Sequence, residues 1–175
     1  MERSRGPSRR AWLALGIGVA AAAAVGGTVA VYASTDDEPV PDRERVRTDL
    51  APLQRRFGEA GRLRGAHWLA YDQDAEGRSY LPSPDPRYRV VGVARLPAGA
   101  AARTAADPAH AFGPAGPTGV PEVLAAFLPA HARWLTSASY DALLLGPGPV
   151  DGVTRGRFFL DAATDTLYFD TVNPE

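Results

Sequence analysis

The sequence predicts an α+β domain behind an N-terminal transmembrane helix, built as a mostly antiparallel sheet of about four strands with two or three helices on one face. Three observations lead there. Residues 11–33 carry no charge and separate an arginine cluster from an acidic one. The run Arg87–Leu96 and the two runs flanking residues 162–165 are rich in valine and aromatic residues, as strands are. Between them lie stretches whose apolar residues recur at the helical spacings of three and four.

Residues 1–10 form a basic tail, with Arg3, Arg5, Arg9 and Arg10 against Glu2. Residues 11–33, AWLALGIGVAAAAAVGGTVAVYA, would make a helix about 34 Å long, enough to cross a hydrocarbon core. Asp36, Asp37 and Glu38 follow. Arginines hold the cytoplasmic end of a span, so the expected topology is a single pass of the cell membrane with the N-terminus inside. Two other readings give a secreted protein. Val31-Tyr32-Ala33 presents residues small enough for signal cleavage after Ala33, and Ser8-Arg9-Arg10-Ala11-Trp12-Leu13 resembles a twin-arginine export motif with Trp12 where Phe is usual. The length favours the anchor, because a signal-peptide apolar region is usually about 7–15 residues. Its nine alanines weigh the other way, since Ala contributes little to insertion.

Residues 34–47 read as a disordered linker, with Pro39 and Pro41 among alternating charges. The exported α+β domain is then 48–175. Thr48-Asp49 looks like a helix start, followed by Leu50, Leu53 and Phe57 on one face and stopped by Gly58 and Gly61. Ala66–Tyr71 reads as a strand and Asp72–Gly77 as a polar turn. Tyr80–Pro86 contains Pro82, Pro84 and Pro86 and reads as an extended loop. Arg87–Leu96, RYRVVGVARL, has valines on both faces and reads as a central strand. Pro97–Ala106 is a short Ala-rich helix with Pro97 near its first turn. Asp107–Gly119 is a Pro/Gly loop. Pro121 opens PEVLAAFL, a helix whose apolar face is Val123, Leu124, Phe127 and Leu128. Pro129 breaks it or starts another turn, in which Trp134 and Leu135 would face the core. Ser137–Leu145 fits a strand or a helical turn equally. RFFLD (157–161) and TLYFD (166–170) flank a four-residue loop and form a hairpin, with Phe158 and Leu160 facing Leu167 and Phe169. The sheet face away from the helices must be covered by the Pro/Gly loops, face water, or meet a partner.

His67-Trp68, Pro82-x-Pro84, VVGVARL, Arg133-Trp134-Leu135 and the terminal GRFFLD hairpin are similar to features of small actinobacterial proteins with one N-terminal span and an exported domain. The likeness covers most of residues 60–170. It implies that topology and no activity.

Composition narrows the chemistry. There is no cysteine, so the domain rests on packing alone, and redox or thiolate–metal chemistry is excluded. All 19 basic residues are Arg, a bias that fits a GC-rich coding sequence and makes arginine counts poor evidence for anion binding. The exported part is mildly acidic, which argues against a nucleic-acid partner. The sharpest local signal is Asp72-Gln73-Asp74-Ala75-Glu76-Gly77, which approximates the opening of a calcium loop, with Asp72, Asp74 and Glu76 as weak candidate ligands. Ser83 stands where the distal bidentate Glu belongs, so a plain turn is the simpler account. His67, His110 and His131 show no metal-ligand spacing. Ser137 and Ser139 sit in no nucleophile motif, and Asp161, Asp165 and Asp170 decorate a hairpin, where acids are routine. Trp68, Tyr71, Tyr80 and Tyr88 are either core and rim of the sheet or a binding face. No catalytic or cofactor motif stands out, and no cofactor is expected. The expected function is a membrane-anchored extracytoplasmic domain that binds a protein or cell-envelope component. The alternative is a small cofactor-free hydrolase acting in the envelope, which would need a His–carboxylate or carboxylate pair in a cleft.

Overall fold

The computed structural model describes residues 40–74, 87–146 and 155–174, all within the compact unit Glu38–Glu175. The basic tail, the expected span 11–33, the loop Tyr80–Pro86 and Glu76 lie outside the described residues. Among the described residues no helix is long and apolar enough to cross a membrane.

The described strands form one antiparallel sheet: β1 (Gly65–Asp72), β2 (Arg87–Arg95), β3 (Gly113–Pro114), β4 (Trp134–Thr136), β5 (Arg155–Asp161) and β6 (Thr166–Pro174), ordered β1-β2-β6-β5-β4-β3. The fold is α+β as expected, but with six strands rather than about four. The two unforeseen strands, β3 and β4, are two and three residues long and carry no sequence period of their own. Trp134 and Leu135, expected on a helical turn facing the core, lie on β4, paired with Asp161 and Leu160. The helices are α1 (Ala51–Arg56), α2 (Ala100–Ala105), α3 (Glu122–Ala125) and α4 (Ala138–Leu145). The ambiguous stretch after Ser137 is helical because the Ser137 hydroxyl accepts the Tyr140 N–H at 3.2 Å, an N-cap. PEVLAAFL is helical for only four residues, and Val123, expected on its apolar face, is exposed.

The valine-rich run is central, as its two-faced pattern implies: β2 pairs with β1 on one side and β6 on the other. Gly92 stands between Trp68 and Phe169 across the ladder. A Cβ there would lie 2.5 Å from the Trp68 Cβ and 2.6 Å from the His67 carbonyl oxygen. Gly92→Ala is therefore expected to cost about 1–3 kcal/mol through overpacking, read as a lower denaturant midpoint at unchanged slope.

The hairpin has the expected register, with Phe158 opposite Phe169 and Leu160 opposite Leu167. These four face α1, α2 and α4. Phe57 meets Phe158 edge-on and tilts against Phe169, each at 5.2 Å between centroids. Leu53, Ala101, Tyr140, Leu144 and Trp68 complete this core. A second core lies on the other face, where Leu69, Tyr71, Val91, Phe159 and Tyr168 are covered by Leu124 of α3 and by Val46, Val120, Phe127, Leu128 and Trp134. Helices thus lie on both faces, not one. Of the three covers left open by the sequence, the Pro/Gly segments around α3 are one that is used, and among the described residues both sheet faces carry a packed core. Trp68 and Tyr71 belong to the two cores rather than to an exposed aromatic face, while Tyr88 is exposed.

The stretch expected as disordered linker, 34–47, is ordered where it is described. Arg47 and Trp68 exchange backbone hydrogen bonds of 2.8 and 3.0 Å, which occupies part of the outer edge of β1. The Arg47 guanidinium lies 5.2 Å over the Trp68 ring and that of Arg43 4.9 Å over Tyr71. The alternating charges that suggested solvation supply the arginine stems and heads that pack on β1.

Candidate functional site

Residues i, i+2 and i+4 of a strand share one face. On β5 this aligns Arg155, Arg157 and Phe159; on β6 it aligns Tyr168, Asp170 and Val172. The register places Arg155 opposite Val172, Arg157 opposite Asp170 and Phe159 opposite Tyr168. With Thr118 and Gly156 these six side chains line a cavity of about 340 Å³, at the small end of the roughly 300–1,000 Å³ range of ligand pockets.

One wall is fixed by Arg89 of β2. Its Nε and Nη2 donate to the two Asp170 carboxylate oxygens at 2.9 and 2.6 Å. Its Nη1 donates to the Tyr71 hydroxyl at 2.9 Å, and Nη2 also to the Gly119 carbonyl at 3.2 Å. One guanidinium thus ties β6, β1 and the overlying loop together. The bond to Asp170, above all, holds Arg89 above its ordinary range despite desolvation. Tyr168 forms the floor, 1% exposed. Its hydroxyl has no hydrogen-bond partner among the described residues. Burial, and then the nearby Asp170 charge, push that hydroxyl upward, so it remains a proton donor. Arg155 and Arg157 are exposed and make no hydrogen bond or ion pair with described residues. The charge of Arg157 is felt at Asp141, whose carboxyl burial raises and whose bond from the Phe158 N–H lowers.

The candidates read from sequence go elsewhere. Asp72 accepts the Asp74 N–H at 2.9 Å, an Asx turn. Asp74 takes the Arg87 Nε at 2.7 Å and its Nη2 as well. Both carboxylates are engaged, and no group of three or more potential metal-binding side chains forms among the described residues. Thermal melts of the protein in millimolar calcium and in chelator are expected to coincide; a rise in melting temperature that Asp72→Ala abolishes would show a real site.

His67 stacks on Phe127 at 3.8 Å, His110 packs against Phe112 and Tyr140, and His131 is exposed. Ser137 and Ser139 both donate to the His110 carbonyl, the latter at 3.0 Å. Each hairpin acid has a structural task. Asp165, at φ 50°, accepts the Gly99 and Ala101 N–H groups at 2.8 and 3.0 Å and so caps α2. Asp161 accepts the Thr164 hydroxyl and the Arg133 N–H. Burial alone would raise Asp161, but those bonds and the Thr164 and Ala163 N–H groups outweigh it and hold the carboxyl below its ordinary range. Its stabilisation is complete above the ordinary carboxylate pKa and is lost as pH falls through the lowered folded value. Asp161→Asn is therefore expected to flatten the acid limb of a stability–pH curve below the ordinary carboxylate value of about 4. An unchanged acid limb would show the bonds to be weak in solution.

The cavity itself was missed in the sequence, although a signal was present: Arg-x-Arg-x-Phe and Tyr-x-Asp-x-Val on two strands already recognised as a hairpin. Only the pairing register shows that these faces coincide. Comparison with protein-family models, with curated proteins and with solved structures gave no match.

Proposed function

We propose that this chain is a membrane-tethered extracytoplasmic domain that binds a protein or cell-envelope component through the cavity over β5 and β6. The tether and its orientation rest on the charge asymmetry about residues 11–33. N-terminal sequencing of the exported protein tests them, since a mature chain beginning at Ser34 would mean a cleaved signal. The observation that carries the binding reading is the cavity, where two exposed arginines that form no hydrogen bond or ion pair among the described residues share a lining with Tyr168, whose buried hydroxyl is unpaired among those residues. Among the described residues, Asp161, Asp165, Asp170, Ser137 and Ser139, the groups a small hydrolase would draw on, are bonded into a turn, a helix cap, an ion pair and a backbone carbonyl. A photo-crosslinking residue placed at Thr118 of the full-length chain, in envelope fractions, is expected to give a discrete adduct that Arg155→Glu with Arg157→Glu removes. The same residue at Ala102, exposed on α2, serves as control. Equal labelling from both positions would overturn the reading.

A further inference from the structure

We propose that the cavity over β5 and β6 is an oxyanion site whose ligand is a small organic anion, a carboxylate or a phosphate monoester borne on a compact apolar body. This deepens the binding reading above and rests on it.

Of the four charged side chains at this wall, three are arginines, and the only carboxylate, Asp170, has both oxygens taken by Arg89. Arg155 and Arg157, two residues apart on one strand face, therefore keep donors that no described residue accepts in a hydrogen bond. A guanidinium offers its N–H groups as a planar fork that matches carboxylate and phosphate oxygens. Asp170 stands across the ladder from Arg157, yet its bidentate bond to Arg89 leaves Arg157 no such bond with it.

Lone solvated arginines are common on protein surfaces and carry little by themselves. Here a second observation points the same way. Tyr168, in the cavity lining, is fully buried with an unsatisfied hydroxyl, and an unpaired buried donor is costly unless something accepts from it. Its raised pKa keeps it a donor rather than a phenolate. Arg155, Arg157 and Tyr168 thus share one lining, and an oxyanion is the group that accepts from donors of all three. The rest of the lining is the Phe159 ring, the Tyr168 ring and Val172. That floor favours an apolar body next to the charge, and the Phe159 and Tyr168 rings, 6.0 Å apart and tilted at 59°, suit an aromatic or branched group. Another cavity, about 390 Å³ beside α1, is a weaker candidate: the Arg56 Nε is unpaired among the described residues, but its Nη2 already donates to Thr171 and Asn173.

Calorimetry and NMR titration of the full-length chain in neutral detergent, with phenylacetate, phenyl phosphate and benzylamine as probes, test the inference. Binding of one or both anions, weakened by added salt, with no binding of benzylamine, is the expected result. Phenylacetate against phenyl phosphate tells which oxyanion fits. Arg155→Gln with Arg157→Gln should weaken the anion at least about tenfold, the loss of charge-assisted hydrogen bonds, with the melting temperature kept. Tyr168→Phe, which removes only the oxygen, should weaken it severalfold without loss of stability. Failure of both anions to bind at millimolar concentration, equal binding of benzylamine, or binding unchanged in the double-arginine variant would overturn it. If anion binding fails while the Thr118 crosslink persists, the oxyanion falls and the binding domain stands. If the anion binds and the crosslink is absent, the envelope partner falls instead.

Discussion

Phe158→Ala and Phe159→Ala are each expected to cost about 3–5 kcal/mol, a large share of the roughly 5–15 kcal/mol that holds a domain of this size. The adjacent residues point to opposite faces of β5, and a sheet with one open face would bury only Phe158. With that face open, Phe159 would be by far the cheaper loss. Instead Phe158 is fully buried against Phe57, and Phe159 is only 5% exposed, beneath the cover that includes Leu124 and Trp134. Urea unfolding of the two variants decides the matter, because midpoint and slope separate lost stability from a changed compact state. A loss at Phe159 below about 1 kcal/mol, well under the usual range for a buried aromatic, would mean that the segment around α3 does not stay packed on the sheet in solution.

Arg89→Ala is expected to cost about 2–4 kcal/mol, somewhat less than removal of one member of a fully buried ion pair, because Asp170 keeps a quarter of its side chain in solvent. The loss has three parts: Asp170 is left uncompensated, the Tyr71 hydroxyl loses its donor, and the loop at Gly119 loses its tie. Arg89→Met combined with Asp170→Leu should recover much of it, since removing both charges also removes the desolvation cost of each. A double variant no better than Arg89→Ala would assign the effect to the Tyr71 and Gly119 bonds rather than to an unpaired carboxylate. Because Asp170 lines the cavity, neither variant is a neutral background for ligand binding.

Much of the fold is legible from local pattern. The strand β2, the hairpin of β5 and β6, the strand β1 and the helices α1 and α2 lie within a few residues of where period and turn chemistry place them. The illegible parts are those whose structure is set by neighbours. Trp134-Leu135-Thr136 is too short to show alternation and becomes a strand only because β5 offers an edge. The segment from Ala115 to Pro129 shows a helical spacing only after Pro121, and nothing in that spacing tells that Val120, Leu124, Phe127 and Leu128 supply the second core its lid. The arginines of the linker read as solvated because their partners, the rings of Tyr71 and Trp68, lie more than twenty residues away.

By itself, then, the sequence determined the charge asymmetry across residues 11–33, the α+β class, the register of the terminal hairpin and the reliance on packing without disulfides. These follow from neighbours in sequence: side-chain period, turn length and the absence of cysteine. The tertiary structure alone decided that both sheet faces are covered, and that the hairpin acids serve turns, a helix cap and the Arg89 wall. It also decided that Arg155, Arg157 and Tyr168 line one cavity. The physical reason is that burial and hydrogen-bond satisfaction belong to pairs of groups brought together by the β2–β6 and β5–β6 ladders and by the loop packed over them. A single strand fixes which face a side chain takes but not what lies across from it.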